Sequence, residues 1–153
     1  MTRIIESPVG KLRIDADERA ISGIWLNATA NVTPGRATGV LAELERQLAA
    51  YFGGRLTEFD LPLAPAGTPF QLDVWAALRE IPYGTTCSYS DIAKKIGRAD
   101  AVRAVGAANG QNPIPIVIPC HRVIGANGSL TGFGGGLPMK KWLLAHESGG
   151  NLF

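Results

Sequence analysis

Apolar and polar residues alternate along the first 26 positions as they do in half-buried strands. Arg3-Ile4-Ile5-Glu6-Ser7 and Lys11-Leu12-Arg13-Ile14-Asp15 flank a Pro8-Val9-Gly10 turn and predict a hairpin. Ala20-Ile21-Ser22-Gly23-Ile24-Trp25-Leu26 predicts a third strand. After a polar, turn-rich stretch over 27–39 the period changes. Val40, Leu41, Leu44, Leu48 and Tyr51 fall at helical spacing within Val40–Phe52, and Gly53-Gly54 ends that helix. Residues 1–62 therefore predict a small α/β domain. It presents no nucleophile, histidine or clustered polar site, so it reads as scaffold.

Leu61-Pro62-Leu63-Ala64-Pro65-Ala66-Gly67-Thr68-Pro69 is a proline-rich connector and marks a boundary. A second, mostly helical domain is expected over 69–153. Pro69 opens a helical pattern through Phe70, Val74, Trp75, Leu78 and Ile81, closed by Pro82-Tyr83-Gly84. Two short helices follow: Ser90–Ile96, with Ser90 as N-cap and Gly97 as terminator, and a second from about Ala99 to Asn109. Such a pair is the outline of a helix-turn-helix. Arg103 shares a face with Ala99, Gly106, Ala107 and Gly110, while Val102 and Val105 point to the core. One arginine on a face otherwise no larger than a methyl lets the helix backbone approach a grooved partner; tight helix packing is the alternative. Glycine at 106 costs about 1 kcal/mol of helix propensity relative to alanine.

Asn112-Pro113-Ile114-Pro115-Ile116-Val117-Ile118-Pro119-Cys120-His121-Arg122-Val123 is the most unusual stretch. Its prolines remove backbone donors and predict a rigid, extended, apolar track leading to a thiol. A cysteine followed by histidine has the parts of an activated nucleophile, because the thiolate is the reactive form and a nearby base raises its population. A buried inert cysteine is the alternative. Adjacent side chains face apart, so Cys120 and His121 are expected to communicate through a bridging water, with His121 held in one tautomer by a carboxylate. Glu147 is the candidate, at the end of a helix that begins at Pro138 and passes Trp142, Leu143 and Leu144 before Gly149-Gly150. There it meets the negative end of the helix dipole, at a cost of about 0.3–1 kcal/mol unless a partner compensates. A solvated surface glutamate is the bland alternative, and His146 rivals His121 as the working imidazole. Gly132-Phe133-Gly134-Gly135-Gly136 lacks the Gly-Lys-Ser/Thr ending of a phosphate loop. Its glycines bring backbone N–H groups close to a planar ligand beside the Phe133 ring, or form a plain turn.

Composition narrows the class. The chain has 153 residues, 46% of them hydrophobic and 18% charged, with a net charge of +2, which excludes a disordered chain and suits one or two globular domains. Cys87 and Cys120 are the two cysteines, and Met1–Gly10 has no apolar signal region. Reduced thiols and a cytoplasmic location are expected. The apolar stretch Ile114–Cys120 is broken by Pro115 and Pro119 and falls far short of the roughly 20 residues of a membrane span. A four-ligand Cys/His zinc site would consume Cys87, Cys120, His121 and His146 together, so no metal is expected. Residues 1–66 carry seven Lys/Arg and eight Asp/Glu, a net of −1, and residues 67–153 carry eight and five, a net of +3. The second domain is thus mildly basic. A pI near 8.7 permits a polyanionic partner without demanding one.

Pro119-Cys120-His121-Arg122-Val123, with Asn112-Pro113 before it and Gly135-Gly136-Leu137 and Trp142-Leu143-Leu144-Ala145-His146-Glu147 after it, resembles the O6-alkylguanine-DNA alkyltransferases, the methylated-DNA–protein-cysteine methyltransferases. The resemblance covers about residues 69–147. It implies an N-terminal ribonuclease H-like α/β domain and a C-terminal domain with a winged-helix-like helix-turn-helix. It implies that Cys120 accepts the alkyl group, His121 deprotonates it through water, Glu147 orients His121 and Asn112 braces the site. Arg103 would replace a flipped nucleotide in the stack and Tyr89 assist its rotation, with Ser90, Arg98 and Gly106 also at the DNA surface. Tyr89, Pro115, Val123, Phe133 and Gly134 would line the base pocket. Chemistry on a base requires taking it out of the duplex, which agrees. The implied partner is double-stranded DNA carrying O6-alkylguanine, with O4-alkylthymine as a further substrate, met by a monomer without cofactor; cooperative assembly along DNA stays open.

Three departures from the family pattern stand out. Phe133 and Gly134 replace a common tyrosine and serine, which removes two hydroxyls from the pocket wall and bears on the size of alkyl group accepted. Val102 stands where alanine is common, and the zinc ligands of some members are absent. Two other functions use similar parts. A lesion-binding sensor of the same fold has no need of Cys120, and a thiol hydrolase has no need of the Arg103 helix.

Overall fold

Leu12, Ile14 and Ala16 are buried on one face of a strand whose alternate residues, Arg13 and Asp15, point away. That strand, β2 (Leu12–Ala16), lies between β1 (Thr2–Ile5) and β3 (Ile21–Trp25) in an antiparallel meander, with Ile14 opposite Arg3 on one side and Ile24 on the other. Helix α1 (Gly39–Phe52) covers the apolar face with Leu41, Leu44, Leu48 and Tyr51, while Val40 is only half-buried. The connector is part of this unit. Ile21 donates to the Pro62 carbonyl and accepts from Ala64, both at 2.8 Å, so the chain pairs along the edge of β3 although proline supplies no donor. Buried Gln47 clamps Asp60 by two 2.9 Å hydrogen bonds to its backbone.

The computed structural model describes residues 1–149, and residues 150–153, which close the second domain expected from the sequence, lie outside the described residues. The chain divides into one unit over Met1–Ala66 and another beginning at Gly67. In the second unit, α2 (Pro69–Leu78) starts on a Thr68/Gln71 capping box with proline at the first turn, and Ile81 is buried just beyond its end. Strand β4 (Cys87–Ser88) leads into α3 (Tyr89–Lys95), and α4 (Val102–Gly110) follows.

Two boundaries differ from the sequence reading. The N-cap of α3 is Ser88 rather than Ser90: the Ser88 hydroxyl accepts from the Asp91 N–H at 3.1 Å and the Asp91 carboxylate accepts from the Ser88 N–H at 2.9 Å. The reciprocal pair needs an acidic or amide residue three positions on, which Ser88 has and Ser90 lacks. Helix α4 begins at Val102, not Ala99, because a turn closed by the Ala101 N–H on the Arg98 carbonyl occupies the preceding residues. Val105 is fully buried against α2 and α3, whereas Val102 is only half-buried at the helix start, where the turn leaves it at the rim. The Trp75 indole N–H donates 2.9 Å to the Ala108 carbonyl and locks α2 to α4.

Residues 112–119 are not extended. The Ile118 N–H reaches the Ile114 carbonyl at 2.9 Å, and buried Ile116 turns the chain at φ 74°. An extended track would leave aliphatic side chains in water; the turn buries Ile114, Ile116, Val117 and Ile118 together. A β-branched residue in the left-handed region costs about 1–3 kcal/mol, which that burial offsets. A 3₁₀ turn over Cys120–Arg122, β5 (Val123–Ile124) parallel to β4, and α5 (Leu137–Glu147) complete the unit. No helix among the described residues is long and apolar enough to cross a membrane.

Candidate active site around Cys120

Pro119 sits at φ −81°, ψ 64°, the geometry of an inverse γ-turn, and the Cys120 N–H closes it on the Ile118 carbonyl at 2.8 Å. Cys120 follows at once, 5% exposed, as the first residue of the 3₁₀ turn. Asn112 ties down the approach: its Nδ2 donates to the Ile118 carbonyl at 2.8 Å and its Oδ1 accepts from the Ile114 N–H at 3.0 Å. The turn that presents the thiol is thereby held at both ends by one side chain. Buried Asn109, from the last turn of α4, donates to the Cys120 carbonyl at 3.4 Å.

His121 is fully buried, and its Nε2 lies 2.7 Å from Glu147 Oε2. Arg122 grips the same carboxylate from the side, Nε to Oε1 at 2.7 Å and Nη2 to Oε2 at 3.0 Å, and donates Nη1 to the Ile81 carbonyl at 2.7 Å. Burial alone would raise the Glu147 pKa, but hydrogen bonds from His121 and Arg122 outweigh it and hold the carboxyl at about 2. For His121 burial dominates over the nearby carboxylate and lowers the pKa, so the imidazole is neutral. A neutral imidazole facing a carboxylate carries its proton on Nε2. Nδ1 is left as a bare, buried acceptor with no partner among the described residues.

Burial pushes the Cys120 thiol up to about 11 despite the Asn112 side chain and the positive charge of Lys140, which both act downward. The thiol is protonated near neutral pH and needs a base. Lys140 is itself fully buried, donating to the Val123 carbonyl at 2.7 Å and the Thr131 carbonyl at 3.0 Å. Arg122, Lys140 and Asn109 were not singled out by sequence reasoning. Lys140 carried a usable signal: it lies seven residues before Glu147, two helical turns along the face that also buries Met139, Leu143 and Leu144. Asn109 and Arg122 look like surface residues until the fold surrounds them.

The remaining expected site residues lie further out. The β4–β5 pairing sets Cys87 beside buried Val123 and brings Tyr89, at the start of α3, within 2.6 Å of Thr131 Oγ1 through its hydroxyl. Pro115 is buried in a bridge with Ile118, Phe133 is half-buried, and Gly134 is exposed in the loop before α5. Ser90 is half-buried in the first turn of α3. Arg98 is exposed, with its guanidinium 5.6 Å from the Phe70 ring centroid. Arg103, Ala107 and Gly110 are exposed on one face of α4. A Cβ built on Gly106 would meet only the Tyr89 ring, at 3.9 Å, and one on Gly110 nothing within 4 Å. Among the described residues this small-residue face is thus open at Arg103, Ala107 and Gly110, and Gly106 borders the Tyr89 ring at the start of α3. The His146 ring stacks on Trp142 with centroids 4.9 Å apart, and the imidazole on the Glu147 carboxylate is that of His121.

Residues 69–149 match the family model described as 6-O-methylguanine DNA methyltransferase, DNA binding domain, and residues 1–65 match that for the ribonuclease-like domain of the same proteins. The chain belongs to the 6-O-methylguanine DNA methyltransferase family. A methylated-DNA–protein-cysteine methyltransferase of Methanosarcina acetivorans is 47% identical over 155 residues, covering 94% of this chain and 96% of its own. A Mycobacterium tuberculosis family member crystallised in complex with DNA matches with a TM-score of 0.88 at 47% identity, covering 99% of this chain and 94% of that one. An O6-methylguanine DNA methyltransferase of Methanococcus jannaschii matches at 0.66 and 27%, over 95% and 92%. Within the family organisation the first unit is the ribonuclease-like part, which agrees with its lack of a reactive constellation.

Proposed function

We propose that this protein repairs DNA by moving an alkyl group from O6 of guanine to Cys120, irreversibly and once per molecule. The observation that carries this reading is the buried series Cys120, His121, Glu147, Arg122, in which a protonated thiol is followed in the chain by a neutral imidazole whose tautomer a carboxylate fixes. His121 takes the thiol proton through a water, Sγ bonds to the alkyl carbon, and the C–O6 bond breaks with its electron pair left on the guanine, which takes up a proton. A thioether offers no easy return to thiol, so the product is a spent protein. O4-alkylthymine presents the same alkyl–oxygen bond and is a second substrate on this reading.

Access to the thiol requires a base out of the duplex. We read α3 and α4 as a winged-helix-like helix-turn-helix whose open Arg103–Gly106–Gly110 face enters a groove. Arg103 then fills the place of the flipped nucleotide, Tyr89 meets the base, and Ser90 and Arg98 contact the flanking backbone. Pro115, Val123, Phe133 and Gly134 form the pocket wall, and Asn112 fixes the turn beneath it. The first unit, Met1–Ala66, is read as a ribonuclease H-like scaffold, and a reducing compartment, the cytoplasm, suits a single-use thiol. A lesion sensor is the weaker reading, since it needs neither the thiol nor the buried relay.

Incubation with duplex DNA carrying O6-methylguanine is expected to add one methyl mass to the peptide containing Cys120 and to restore guanine in the DNA. An unmodified peptide beside intact lesion would leave the sensor reading in its place.

A further inference from the structure

Among the described residues, the buried side-chain polar atoms without a hydrogen-bonding partner are His121 Nδ1 and Asn109 Oδ1. They belong to the same spot in the fold. Asn109 donates its Nδ2 to the Cys120 carbonyl, the oxygen of the peptide that joins Cys120 to His121, so its amide abuts the segment from which both the thiol and the imidazole project. Asn109 is 4% exposed and His121 fully buried, which leaves bulk solvent little part in satisfying either atom. Buried polar atoms of this kind are satisfied by ordered water in most proteins, and a buried water makes about three hydrogen bonds.

Both orphan atoms are acceptors. Nδ1 is the bare nitrogen of an imidazole whose proton sits on Nε2 against Glu147, and Oδ1 is a carbonyl oxygen. A water has two protons to give. Donating one to Nδ1 and the other to Oδ1 uses both and leaves only its lone pairs, which can accept from a third group. The group at hand that is protonated and in need of a base is the Cys120 thiol.

We propose that Asn109 is a positioning residue for the transfer reaction: its Oδ1, with His121 Nδ1, holds a single water in the one orientation that accepts the Cys120 proton. The inference rests on the alkyl-transfer reading above. In the step it serves, the S–H proton passes to the water oxygen as the water passes one of its own protons to Nδ1. The S–C bond then forms as C–O6 breaks, and the imidazolium is stabilised by Glu147. Without Oδ1 the second water proton has no fixed acceptor, the water rotates, and its lone pair no longer faces the thiol. Asn109 touches neither the base nor the alkyl group; it acts through the water.

The test compares wild type with Asn109→Leu, and with Asn109→Ala should the leucine variant not fold, in single-turnover methyl transfer from duplex DNA across pH 6.5 to 9.5. Duplex affinity and Tm are followed in parallel. Wild type is expected to show a shallow profile, because the relay removes the proton. The variants are expected to be slower by about tenfold or more near neutral pH, the scale of a disabled general base. Their rate should then rise about tenfold per pH unit as free thiolate takes over, so that the deficit narrows. A wild-type rate, or a deficit equal at every pH, overturns the proposal. A high-resolution crystal structure of the wild-type protein is expected to show one water within hydrogen-bonding distance of both Oδ1 and Nδ1, and a structure in which no water touches both overturns it without any variant. If the wild-type peptide gains no methyl group at all, it is the alkyl-transfer reading that fails.

Discussion

Glu147 Oε2 accepts from two donors at once, His121 Nε2 at 2.7 Å and Arg122 Nη2 at 3.0 Å. Arg122 completes the fork at Oε1, so the carboxylate stays ionised inside the protein and in turn pins the imidazole proton on Nε2. The cation thus acts on the thiol at two removes, through Glu147 and through His121. Glu147→Gln replaces the acceptor with an amide that can turn an N–H toward Nε2, which favours the tautomer with Nδ1 protonated and useless as a base. Methyl transfer is expected to slow by about 10²–10⁴-fold, the range of general-base loss. Nitrogen NMR of His121 reports the tautomer directly, and a variant that keeps the Nε2–H form with a wild-type rate contradicts the assignment.

Acid should unfold the protein in two steps. The folded-state pKa of His121 lies below its usual 6.5, so below that pH the unfolded chain binds a proton the folded one resists, and stability declines as pH falls from 6.5. Glu147 is held at about 2 against a usual 4.5. Its contribution, on the order of 3 kcal/mol, is complete above 4.5 and lost between 4.5 and about 2. Calorimetric Tm against pH is expected to fall gently at first and then steeply. Glu147→Gln should lose the steep lower step while keeping a lower Tm at pH 7; a Tm that rises on acidification is the opposite result.

The sequence told different parts of this site apart unevenly. Cys120, His121 and Glu147 could be picked out because each is a reactive type in an odd setting: a thiol after prolines, a histidine beside it, an acid at a helix C-terminus. The strands and α1 followed from period alone. The turn at Ile116 could not be foreseen, because prolines at 113 and 115 favour extended neighbours and only the burial of 114–118 as a cluster makes a left-handed isoleucine tolerable. The Ser88 cap is legible through Asp91 three positions on, a partner that Ser90, the expected cap, does not have. Arg122, Lys140 and Asn109 are polar residues that sequence patterns assign to the surface, and only tertiary packing places them inside.

Gly106 separates fold from function. A Cβ there meets only the Tyr89 ring at ordinary contact distance, so Gly106→Ala should stabilise α4 by about 0.5–1 kcal/mol. On the groove-binding reading the same methyl stands between helix backbone and DNA, and duplex affinity is expected to drop several-fold. Thermal melts and fluorescence anisotropy on one preparation decide it. Stabilisation with unchanged affinity would remove Gly106 from the interface.

Arg103 is exposed on that face of α4. Arg103→Ala is expected to leave the unfolding free energy within about 0.5 kcal/mol of wild type, as surface substitutions do. Transfer from duplex DNA should slow far more than transfer from free O6-methylguanine, which needs no flipping. Equal slowing of the two reactions would sink the flipping role.

Lys140 places a buried ammonium where it bears on the thiol, and its charge is among the influences that act downward on a Cys120 pKa otherwise pushed up to about 11 by burial. Lys140→Met keeps much of the side-chain volume and removes the charge together with the donors to the Val123 and Thr131 carbonyls. The thiolate then loses the favourable charge of Lys140 in a medium of low dielectric, where such an interaction is felt strongly. Iodoacetamide labelling of Cys120 across pH should shift to higher pH in the variant. Because the Thr131 hydroxyl also shares a hydrogen bond with the Tyr89 hydroxyl, the loop that carries it should exchange its amide hydrogens faster. A labelling curve that stays put or moves to lower pH would show that Lys140 supports the loop without assisting the thiolate.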